Sequence, residues 1–100
     1  MIDFVQLPSQ LRLTDCCQRH GIRRLALFGS ALRDDFGPES DLDVLVEFKP
    51  GATPGLAFFA IQEELTSLMG RTVDLQTAEC LSPHFRDEVL AAAKDIYVAS

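Results

Sequence analysis

The sequence predicts an α/β or α+β domain in which helices pack on a small sheet. Three observations predict it. Helix-like apolar stripes run through residues 9–20 and 55–69. Between them, residues 22–28 and 42–48 read as strands, the second being the clearest in the chain. Glycines and prolines fall at the joints between these stretches and not inside them.

Taken in order, the first element is a helix over residues 9–20. Ser9 after Pro8 is its cap, Gly21 its stop, and Leu11, Leu13, Cys16, Cys17 and His20 its apolar stripe. His20 sits one turn from the end, where a cation is mildly favoured. In the strand over 22–28, Leu25 and Leu27 face one side and Ala26 and Phe28 the other. Gly29-Ser30 breaks it, and residues 30–36 suit one or two helical turns. Gly37-Pro38 is a turn, and 42–48 is the second strand. The loop 49–55 leads into the long helix over 55–69, with Leu56, Phe59, Ala60, Leu65 and Leu68 expected inward and Gly70 closing it. Residues 72–76 form a short strand. Pro83 opens a last helix to about residue 93, and 96–99 is a final apolar segment with strand character.

The chain has 100 residues, which fits one domain over 1–100. Net charge is −6, with two lysines beside seven arginines. Long nucleic acid is normally gripped by a basic stripe, and none is present, so DNA or long RNA is not the expected partner. Three cysteines, two of them adjacent, lack zinc spacing and a disulfide framework. They read as reduced, mostly buried thiols of a cytoplasmic protein. The N-terminus has no signal-peptide pattern. No apolar run approaches the roughly 20 residues that span a bilayer.

The chemistry concentrates between residues 27 and 48. By strand alternation, Leu42, Val44, Val46 and Phe48 share the face turned to the helices, while Asp41, Asp43, Leu45 and Glu47 share the other. Asp41 and Asp43 stand about 6.5–7 Å apart along the strand, both on that face. Such a pair suits Mg²⁺, which takes one or two carboxylates and completes its octahedron with phosphate and water. Gly29-Ser30 lies where a strand ends. Gly29 lets a phosphate approach the backbone, Ser30 adds a hydroxyl, and Arg33 can reach the same anion. Asp74, in the strand over 72–76, joins the open face if that strand neighbours the other two. Three carboxylates would hold two metal ions. Each feature alone is ordinary: acids before a strand or a Gly-Ser in a loop need no function. The combination is what points to a nucleoside triphosphate site.

Gly29-Ser30, ten residues, then Asp41-Leu42-Asp43 resembles the GSx10DxD signature of the DNA polymerase β-like nucleotidyltransferase superfamily. Chain length and the stretch FGSALRDDFGPESDLDVLVEF resemble its minimal, MNT-type branch, whose members are often antitoxins of HEPN–MNT toxin–antitoxin pairs. The resemblance implies a mixed sheet flanked by helices, the nucleotidyltransferase fold. It implies that Gly29, Ser30 and Arg33 bind the nucleotide, that Asp41, Asp43 and Asp74 hold Mg²⁺, and that Asp74 serves as base. It also implies transfer of AMP from ATP to a tyrosine hydroxyl of a HEPN toxin. No second domain is expected to hold an acceptor, so a protein acceptor fits best. Two other readings stay open: an antitoxin acting by occlusion with an idle nucleotide site, and an enzyme acting on a small molecule or short RNA. The loop 49–55 with Phe58, or the tail from Ile96, is the expected partner surface. Tyr97, Cys80 and His84 are read as structural.

Overall fold

The computed structural model of the chain describes residues 9–33, 37, 40–52 and 54–99, the Ser30 side chain excepted. The elements are α1 (Gln10–Arg19), β1 (Ile22–Leu27), a 3₁₀ turn (Gly29–Leu32), β2 (Leu42–Phe48), α2 (Ala57–Met69), β3 (Val73–Gln76), a second 3₁₀ turn (Ala78–Cys80), α3 (Arg86–Ala92) and β4 (Lys94–Val98).

The strands form one mixed sheet in the order β3-β2-β1-β4. β1 pairs antiparallel with both β2 and β4, while β2 and β3 run parallel. The parallel pair needs a crossover, and α2 supplies it. A register shift between Ile22 and Arg24 marks a bulge at the start of β1.

Alternation along β1 and β2 divides the core in two. Leu25, Leu27, Leu42, Val44 and Val46 face α1 and α2, where they meet Leu13, Cys16, Cys17, Ile61 and Leu65. Ala26, Phe28 and Leu45 face the other way and are covered by Leu81, Val89, Leu90 and Ala93. The face carrying the aspartates is therefore roofed at its middle by α3 and the segment before it, and left open at its ends.

Ser9 caps α1 as expected, its hydroxyl accepting the Arg12 N–H at 3.3 Å. Gly70 ends α2 at φ +72°. Several expectations need correction. Leu11 is not part of the α1 stripe but lies 84% exposed. On α2 the inward residues are Ile61 and Leu65, with Phe58, Leu68 and Met69 packed beside them. Leu56 and Phe59 are 88% and 64% exposed, and Ala60 is exposed too. Leu56 precedes the first helical residue, and Phe59 is turned about 100° from Phe58 around the helix axis. The last helix begins at Arg86 and not at Pro83, and of the one or two turns expected over 30–36 a 3₁₀ turn runs as far as Leu32. Residues 34–36 lie outside the described residues. The tail from Ile96 is the edge strand β4, with Tyr97 buried and Val98 59% exposed.

Candidate active site

Three elements bring the predicted residues together. β2 and β3 pair in parallel with Asp43 directly opposite Asp74. Paired residues on neighbouring strands point to the same face, so both carboxylates leave the sheet on one side. Asp41 precedes Asp43 by two residues and shares its parity. Asp41 and Asp74 are exposed and Asp43 is half-buried. Val73 and Leu75, on the opposite parity, are buried against α2. β3 neighbours β2 alone and not β1, and this one pairing is enough to set Asp74 on the face of Asp43.

Gly29 completes the arrangement. Its φ of +65° is a left-handed conformation that a side chain rarely adopts. A Cβ built there would lie 2.5 Å from Asp43 Oδ2. The carboxylate thus rests against the bare backbone of Gly29. Phe28 N–H also donates to the Asp43 carbonyl at 3.1 Å, locking the end of β1 to the aspartate. The turn holding Gly29 and Ser30 is a single 3₁₀ turn, so it offers local backbone amides and not the dipole of a long helix. Arg33 follows it and is exposed.

Arg71 is a residue that sequence reasoning passed over. Its Nη1 donates to the carbonyl oxygens of Gly37 at 3.2 Å and Ser40 at 3.5 Å. It thereby ties the start of β3 to the segment that delivers Asp41. Its position between the helix-closing Gly70 and Asp74 was the available signal.

The donor set fits Mg²⁺. Three hard carboxylates share one face, and a glycine leaves room beside the central one. Their oxygens are not drawn together. Among the described residues, the group whose ligand-type atoms all lie within 4.8 Å of one another is Cys16, His20 and Glu64.

That second trio has a structural role. Glu64 on α2 accepts from Arg19, from His20 Nε2 at 2.9 Å and from the Cys16 thiol. Hydrogen bonds from Arg19 first, then His20, hold its carboxyl at about 2. Burial first, then the neighbouring carboxylate, pushes the Cys16 thiol up to about 12. With its acid neutralised by a guanidinium and its thiol protonated, the group clasps α1 to α2. On the sheet, Arg24 bridges Glu47 of β2 at 2.9 Å and Asp95 of β4 at 2.5 Å.

A concavity of about 430 Å³ lies at the far end of β2 from the aspartates, lined in part by Glu47, Phe48, Ala52, Pro54 and Phe58. The expected partner loop with Phe58 is therefore the wall of a hollow, with Phe58 half-buried. Cys16 and Cys17 are buried as expected, but Cys80 is exposed. No helix among the described residues is long and apolar enough to cross a membrane.

Residues 12–96 match the family described as Nucleotidyltransferase domain. A protein of Methanocaldococcus jannaschii, named as a proposed protein adenylyltransferase, is 35% identical over 78 residues, covering 78% of this chain and 83% of its own length. A solved structure described as a proposed minimal nucleotidyltransferase shares 34% identity at a TM-score of 0.68, covering 89% of this chain and 88% of the other. A third likeness is one of fold alone. It is to a complex of a tri-AMPylated Shewanella oneidensis HEPN toxin with an MNT antitoxin, at 17% identity and a TM-score of 0.59, covering 90% of this chain and 70% of that one.

Proposed function

This chain belongs to the nucleotidyltransferase domain family, and on that premise we propose that it transfers AMP from ATP to a tyrosine hydroxyl of a HEPN-type toxin, silencing it. The observation that carries the reading is the in-register pairing of Asp43 with Asp74, Asp41 two residues earlier and Gly29 bare beneath Asp43.

Each residue then has a task. The backbone of Gly29 and Ser30 seats the triphosphate, because a glycine in the left-handed region lets phosphate oxygens approach main-chain N–H groups. Arg33 adds charge from one turn along. Asp41, Asp43 and Asp74 would hold Mg²⁺, which when bound neutralises the triphosphate and stabilises charge developing at the α-phosphorus. Asp74 takes the proton of the acceptor hydroxyl. The hydroxyl oxygen forms its bond to the α-phosphorus as the bond to the β-phosphate bridge breaks, leaving pyrophosphate and a phosphodiester-linked AMP.

A net charge of −6 supports a protein acceptor over tRNA, whose backbone a surface of this charge repels. The M. jannaschii relative named for protein adenylylation and the AMPylated HEPN toxin of the structural neighbour support the same acceptor class. We place the protein in the cytoplasm as a single domain over residues 1–100, where ATP is at hand and thiols stay reduced.

The test is transfer of label from ATP labelled at the α-phosphate, with Mg²⁺, to the protein that co-purifies with this chain. Label on a tyrosine of that protein, lost with Asp41→Asn/Asp43→Asn while the complex persists, is the expected result. Neutralisation of the partner by the double variant as well as by the native chain would overturn the enzyme reading in favour of occlusion.

A further inference from the structure

We propose that Gln62 and Thr66 of α2 are positioning residues for Asp74, acting through the backbone on either side of it. The proposal rests on the reading of Asp74 as the third carboxylate of the site.

β3 is a four-residue strand at the edge of the sheet, with β2 as its one neighbour. Such a strand has few ladder bonds to hold it and is prone to fray or slip. Alternate amides of an edge strand point away from the sheet and need partners. In β3 these belong to Val73 and Leu75. Thr66 Oγ1 accepts the Val73 N–H at 3.1 Å, and Gln62 Oε1 accepts the Leu75 N–H at 3.0 Å. Both acceptors are half-buried, and the two residues they hold are nearly fully buried.

The spacing explains why these two positions serve. Four residues of helix rise about 6.0 Å, and two residues of strand rise about 6.6 Å. One turn of α2 therefore matches the interval from Val73 to Leu75, with the helix running opposite to the strand. Asp74 sits between the two anchored amides with its side chain on the far face. Its Oδ2 accepts from Nε2 of the neighbouring Gln76 at 3.2 Å. Its direction and its register against Asp43 thus depend on the main chain that Gln62 and Thr66 hold.

Gln62→Met and Thr66→Val remove the acceptors at nearly constant size, while Gln62→Glu and Thr66→Ser keep them. Three quantities are read on the full chain below its melting temperature. These are amide exchange at Val73 and Leu75, Mn²⁺ binding without nucleotide, and AMP transfer to the co-purifying partner. In the Met/Val double variant both amides exchange at least about tenfold faster. Mn²⁺ binds more weakly, and kcat falls about 10- to 100-fold with KM for ATP little changed. The Glu/Ser pair restores all three. Faster exchange with unchanged Mn²⁺ affinity and kcat overturns the proposal. If the double variant does not fold, the same readings are taken on each single variant. Asp74→Asn is run alongside: full transfer by that variant overturns the reading of Asp74 itself. Transfer lost with Asp74→Asn but intact in the Met/Val variant overturns the clamp alone.

Discussion

Gly29→Ala strikes the place where a backbone conformation and a carboxylate compete for the same space. The new methyl carbon would stand 2.5 Å from Asp43 Oδ2 and 3.3 Å from its carboxyl carbon. Ordinary contact between such atoms begins near ~3.5 Å, so the carboxylate must move. Two costs follow. Holding alanine at φ +65° costs about 1–2 kcal/mol. Overpacking of this kind costs about 1–3 kcal/mol more. In a domain of this size each kcal/mol lowers the melting temperature by about 4–8 °C, so the combined cost of about 2–5 kcal/mol gives a fall of about 8–40 °C. A double-mutant cycle separates the two causes. Asp43→Ala removes the clashing atoms and leaves Asp43 Cβ at an ordinary 3.5 Å. In that background Gly29→Ala retains only the backbone cost, giving a coupling of about 1–3 kcal/mol. Urea denaturation of the four proteins measures it. Additive effects, or a Gly29→Ala protein as stable as the native one, would refute the reasoning.

The Glu64 clasp makes stability depend on acid. Its carboxyl is lowered from 4.5 to about 2 by Arg19 and His20, so its contribution is full above about pH 4.5 and fades as pH falls toward 2. Solvent screening limits it to about 1 kcal/mol, and Glu64→Gln should flatten that part of a pH–stability curve. Ser9→Ala removes the α1 cap and should cost about 1 kcal/mol in denaturant titration, with AMP transfer unchanged. A thiol reagent such as DTNB should find one fast cysteine in the native chain. Cys80 is exposed and its thiol is lowered by hydrogen bonds from Thr77, whereas burial pushes Cys16 and Cys17 up to about 12. Cys80→Ser should abolish the fast phase. Arg71→Ala should lower transfer more than stability, since it loosens the carbonyls of Gly37 and Ser40 ahead of Asp41, as a kcat measurement beside a melt would register.

Much of the fold was legible in local pattern. Alternation along Leu42–Phe48 placed Asp43 and Val44 on opposite faces, and the glycines at 21 and 70 mark where α1 and α2 stop. The errors share a cause. Apolar residues on α2 outnumber the places that β2 and β3 can bury, so composition alone could not tell Ile61, which is buried, from Phe59, which is not. The same holds for Leu11 against Leu13. The roof over Leu45 was also invisible, because α3 reaches it from more than forty residues along the chain.

The candidate residues themselves came from the sequence, since a carboxylate pair and a glycine-serine break are properties of neighbours in the chain. Their assembly did not. Whether Asp74 meets Asp43 depends on β3 lying parallel to β2 in one register, and a shift of one residue would send Asp74 into the core. Local propensity is blind to that choice. It is made by Val73 and Leu75 packing under α2, by Gln62 and Thr66 taking their amides, and by the absence of a side chain at Gly29 where Asp43 comes to rest.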